Sequence, residues 1–93
     1  MNGEHTIVEA DFIAALREMK DQARMSVRAL SIATRMPPST LGGYFSGRHL
    51  PEDPELVERL VRVLGVQDDG MVDCWKDAAA ALVSARRSRR NGA

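Results

Sequence analysis

Two adjacent prolines, Pro37 and Pro38, constrain this chain more than any other feature, because they divide the stretch SVRALSIATRMPPSTLGGYFSGR, Ser26 to Arg48, into two short helical segments. A proline pushes the residue before it out of the helical region, and here Met36 and Pro37 both precede one. The second segment therefore cannot begin before Pro37, while Pro38 suits a first helical position, where its missing N–H costs nothing. Upstream, Ser26 is a good helix cap, and Val27, Leu30, Ser31 and Thr34 fall at i, i+3, i+4 and i+7 of a narrow, largely apolar stripe. The spacing predicts one helix over about 27–34 and another over about 38–46. Only a tight turn of a few residues joins them, which is a helix-turn-helix arrangement.

Placed at about 100° per residue, the second helix sorts into two faces. Leu41, Tyr44 and Phe45 share one side and are expected to pack inward. Ser39, Gly42, Gly43 and Ser46 share the opposite side, the one that such a motif turns toward a DNA major groove, and all four are small. A smooth face of this kind has two readings: it lets a helix sit close to DNA, or it packs on protein.

Charge supports the first reading by its distribution. Basic and acidic residues balance at thirteen each, so the whole chain does not announce a polyanion partner. Residues 26–50, however, carry Arg28, Arg35 and Arg48 and no acid, and residues 86–90 carry four arginines. Eight acids against three bases lie between Glu52 and Asp77. Patches like these are ordinarily solvated helix surface, but the acid-free one coincides with the prospective DNA face.

The remaining chain supplies a small helical core. Thr6 and Glu9 have the T-x-x-E spacing of a capping box for a helix of about 7–24, with Phe12, Leu16, Met19 and Ala23 as its buried stripe and Ile13 alongside. Glu18, Lys20, Asp21 and Arg24 are expected to face solvent. Asp53 is placed to cap a helix of about 54–64 that offers Leu56, Val57, Leu60, Val61 and Leu64 to the core, with Gly65 ending it. Asp68 or Asp69 then caps a last helix of about 70–87, with Met71, Trp75, Ala78 and Leu82 as its apolar face. The expected organisation is a loose tail over 1–5, one domain over 6–85 and a basic tail or linker over 86–93.

Met25 to Arg48, followed by the apolar helix after Pro54, resembles the phage-repressor helix-turn-helix family (lambda-repressor-like, Cro-type, XRE), in the form found at the N-termini of larger actinobacterial proteins. The resemblance spans roughly Phe12 to Trp75 and rests on FIAALREMK in the first helix, the core position Leu30, STLGGYFSGRHLP across the second motif helix and its exit, and ELVERLVRVLGV. It implies an all-α fold of five helices, with the motif at about 26–46, that binds double-stranded DNA in transcriptional regulation. It also implies that Pro38, Ser39, Gly42 and Gly43 lie toward the groove, while Thr40, Arg28 and Arg48 grip the backbone, helped by Arg35 and His49. Two departures stand out: Ser31 replaces a usual small alanine, and Arg35 occupies a turn position where glycine is common. A non-glycine residue at positive φ costs about 1 kcal/mol or more.

The chemistry needed for that role is modest. Free N–H groups near Ser26, and near Ser39 and Thr40, are suited to phosphate oxygens. Ser39 and Ser46 are the only side chains on the small-residue face able to touch a base edge. Catalysis is not expected: His5 and His49 lack ligand partners, Gly42-Gly43 lies inside a helix rather than in a phosphate loop, and the lone Cys74 reads as a small buried residue. No cofactor is implied. No signal peptide or membrane-length apolar segment is present, so a cytoplasmic location is expected. The DNA-binding reading expects a module of a larger protein or a homodimer; the rival reading is a helical adaptor that keeps the fold for protein-protein association in a larger assembly. Ile32, whose angle places it off the core side, favours it slightly.

Overall fold

The computed structural model describes residues 8–92, which form five α-helices. They are α1 (Glu9–Ala23), α2 (Val27–Thr34), α3 (Pro38–Ser46), α4 (Pro54–Val63) and α5 (Asp69–Gly92); no strand occurs among the described residues. Helix α2 packs on α3 and α4, α1 on α3, and α4 on α5. None of the described helices is long and apolar enough to cross a membrane.

The local signals act where they were read. The Ser26 hydroxyl accepts the Ala29 N–H at 3.0 Å, and Asp53 accepts the Glu55 N–H at 2.9 Å. Of the two candidate caps for α5, Asp68 serves, accepting the Met71 N–H at 2.9 Å. Pro38 opens α3, and Gly65, at φ 116°, follows the end of α4. Arg35 does take the left-handed conformation, at φ 61°, and Arg24 after α1 does the same at φ 56°. Ser31 answers its departure from alanine with a hydrogen bond: its hydroxyl donates to the Met36 carbonyl at 2.6 Å, tying α2 to the turn.

The core joins Phe12, Ile13 and Leu16 of α1, Leu30 of α2, Leu41, Tyr44 and Phe45 of α3, Val57, Leu60 and Val61 of α4, and Val72, Ala79, Leu82 and Val83 of α5. The α5 face differs from expectation. Met71 is 51% exposed and Val72 takes the inner position, while Trp75 is half-buried with its ring edge-to-face on Phe12 at 5.2 Å. Cys74, one position further round, is exposed rather than buried.

The outer ends of α1 and α5 also differ from expectation. Thr6, half of the anticipated capping box, lies outside the described residues, and Val8 holds the cap position of α1. The Glu9 carboxylate turns instead to α5, receiving Arg86 at 2.9 and 3.0 Å. Helix α5 runs on to Gly92, beyond the expected end near Arg87. Arg86 also donates to the carbonyls of Gly47 at 2.6 Å and Arg48 at 3.1 Å, so one guanidinium joins α1, α5 and the turn after α3.

Candidate nucleic-acid interface

Helix α3 presents its outer face beside a cleft of about 400 Å³, lined by Arg17, Lys20 and Asp21 of α1, Val27 of α2, and Gly42, Phe45 and Ser46 of α3 itself. Pro38 and Ser39 are exposed at the first turn and Thr40 is half-buried beside them. No side chain caps this turn, since its cap position is Pro37. The N–H groups of Ser39 and Thr40, which precede the first helical bond at Leu41, point their donors out of the helix start toward any anion there. At α2 the Ser26 oxygen is taken up by the Ala29 N–H, but the hydroxyl proton is left to donate outward.

Two of the four small residues behave differently from the helical-wheel expectation. Gly43 is buried, not exposed: the turn after α3 folds His49 back, its N–H bonds to the Gly43 carbonyl at 3.1 Å, and its ring covers the glycine. A Cβ on Gly43 would lie 2.5 Å from the His49 Cδ2. Ser46 is exposed, but its hydroxyl donates to the Gly43 carbonyl at 3.1 Å and accepts the Arg48 N–H at 3.3 Å. Its proton is therefore used to close α3. Gly42 keeps its place, with open space where a Cβ would stand. The outer face of α3 thus reduces to Pro38, Ser39, Gly42 and the back of Ser46.

Arg28, Arg35 and Arg48 are all exposed, and none forms an ion pair among the described residues. The same holds for Arg17, which the reading from sequence did not single out. Arg17 lines the cleft at Gly42 and a second one, of about 470 Å³, that passes Ser46 and Gly47. Lys20 is half-buried, its ammonium 5.9 Å from the centre of the Phe45 ring, rather than simply facing solvent. The signal that could have found both is their place on α1, one turn apart and across from the end of α3. Asp21 is the one acid in that cleft.

The Tyr44 hydroxyl is pushed above its usual value by desolvation and then by Asp53 and Glu52. Among the described residues no three His, Cys, Asp or Glu side chains converge as metal ligands.

Residues 11–73 match a protein-family model described as a helix-turn-helix domain, two thirds of the chain and all of α2 and α3. No curated protein and no solved structure matches the chain.

Proposed function

The chain belongs to the helix-turn-helix domain family, and on that premise we propose that it is the DNA-binding module of a transcriptional regulator, with α3 lying in the major groove. The observation that carries this reading is that α2 and α3 hold no acidic residue, that the start of α3 is uncapped, and that Arg28 on α2, Arg35 before α3, Arg48 after it and Arg17 on α1 are all exposed and without ion-pair partners among the described residues. Arg28, Arg35 and Arg48 supply charge to phosphates, and the N–H groups of Ser39 and Thr40 and the Ser26 hydroxyl add short-range contacts. The module acts as part of a larger protein or as a dimer.

Base reading by this face is weak. A good bidentate contact to a base edge is worth roughly 1 to 3 kcal/mol of discrimination, and it takes an Arg, Asn or Gln. The outer face of α3 holds none of these, Gly43 is covered, and the Ser46 proton is committed. Ser39 is left as the one hydroxyl able to reach a base. Selectivity then comes from groove shape and deformability, read by a helix whose small residues allow close approach.

The test is fluorescence anisotropy of the 93-residue chain with duplex DNA across a salt series, with Arg28→Ala and Arg48→Ala alongside. Binding at low salt that falls steeply as salt rises and weakens in both variants supports the reading, because phosphate neutralisation releases counterions. The second reading, a protein adaptor, is favoured by Ile32, which is 76% exposed on α2. It predicts no duplex binding at any salt and self-association or partner capture that Ile32→Glu abolishes.

A further inference from the structure

The C-terminal turns of α5 return to the turn that follows α3, and the two enclose a cleft of about 320 Å³ that the interface described above does not include. Arg48 and His49 form one wall, Arg86, Arg87 and Arg90 the other, and Glu52 is the one carboxylate on its lining. Four guanidiniums gathered around one cleft repel each other unless each has an anion, and the ion pairs account for only two of them. Arg86 is held by Glu9 at 2.9 Å and Arg87 by Glu52 at 2.9 Å. Arg48 and Arg90 have no ion pair among the described residues. Hydrogen bonds join the two walls. Arg86 fastens the Gly47 and Arg48 carbonyls to α5, and the His49 N–H is fixed on Gly43, so both sides of the cleft are held at a set separation.

We propose that this cleft binds a DNA phosphate, with Arg48 and Arg90 as its ligands and Arg86 as the positioning residue that holds the two walls together. The inference rests on the DNA-binding reading and extends it: the footprint of the domain runs past α3 onto the end of α5, and the same Arg48 serves both surfaces. Two arginines facing one phosphodiester suit its paired oxygens, since guanidinium donors match phosphate geometry. Glu52 opposes the anion directly and holds Arg87 away from it.

The experiment measures anisotropy of the full chain on a random-sequence duplex of about two helical turns, comparing wild type, Arg28→Ala, Arg90→Ala and Glu52→Gln over a salt series. Arg90 is exposed in the last turns of α5, so its truncation leaves the core intact. The expected result is that Arg90→Ala weakens binding roughly three- to tenfold at low salt and lowers the slope of log affinity against log salt by about 1. Glu52→Gln is expected to strengthen binding, a gain that a folding defect cannot produce. If Arg28→Ala loses affinity while Arg90→Ala and Glu52→Gln match wild type, the cleft takes no phosphate and this inference falls while the DNA-binding reading stands. If wild type binds no duplex even at low salt, both fall together.

Discussion

The Glu9 carboxylate on the first turn of α1 receives the Arg86 guanidinium through both oxygens, at 2.9 and 3.0 Å, across 77 positions of sequence. Arg89 adds a third contact at 3.1 Å. The hydrogen bond from Arg86 holds the Glu9 carboxyl below the ordinary value of 4.5, against the opposing effect of partial burial. A carboxyl lowered in the folded state stabilises the fold fully above that ordinary value and loses its contribution as pH falls through the lower, folded value. Acid should therefore loosen wild type below about pH 4.5. Glu9→Gln is expected to cost about 1 kcal/mol near neutrality and to flatten the acid limb, though Glu58, lowered chiefly by its hydrogen bond from Lys76, leaves some slope. Urea midpoints from pH 7 to pH 3 check this, and parallel curves for the two proteins would refute the role assigned to the pair.

Ser31 makes a bond that an alanine could not. Its 2.6 Å donation to the Met36 carbonyl crosses the turn between the motif helices, beside a Met36 side chain that is almost wholly buried. Ser31→Ala should cost about 1 kcal/mol by leaving that carbonyl without its donor. An unchanged urea midpoint would mean that water replaces the hydroxyl at no loss.

Gly42 and Gly43 are neighbours with opposite expected responses. Alanine at Gly42 enters open space and should stabilise α3 by roughly 0.5 to 1 kcal/mol, since glycine is the poorer helix former. Alanine at Gly43 meets the His49 ring at 2.5 Å and must displace it. Gly43→Ala is thus expected to be destabilising alone and stabilising in a His49→Ala background, a coupling that a double-mutant cycle in urea reads directly. Additive effects would show that the ring moves aside freely.

What was legible in the sequence was local. The ends of α2, α3 and α4 were set by Ser26, Pro38, Asp53 and Gly65, each acting through its own backbone or within one turn. The register of α5 was not legible, because Met71 and Val72 both continue a helical apolar stripe through Trp75 toward Leu82, and the alanines at 78–81 discriminate poorly between the two. In the folded chain, where α5 packs on α4, Val72 is the one buried and Met71 the one exposed. The burial of Gly43 and the engagement of the exposed Ser46 hydroxyl were hidden for a different reason: a helical wheel ends where the helix ends, and both residues are met by the turn that follows, through His49 and Arg48. The clasp of Glu9, Arg86 and the Gly47 carbonyl joins three segments distant in sequence and leaves no local pattern to find.

Arg35 separates stability from binding. At φ 61° it holds a conformation that costs a non-glycine residue about 1 kcal/mol, and it is exposed, with no ion pair among the described residues. Arg35→Gly relieves that strain, while the greater freedom of glycine in the unfolded chain cancels part of the gain. A net stabilisation of up to about 1 kcal/mol would raise the melting temperature by several degrees in a domain of this size. If the arginine occupies this position for its charge, the same variant should bind duplex DNA less tightly, with a salt slope lower by about 1. Calorimetry and anisotropy on one preparation give both numbers. A variant that melts higher and binds DNA as wild type does would remove Arg35 from the contact surface, leaving Arg28, Arg48 and Arg17 as its charged rim.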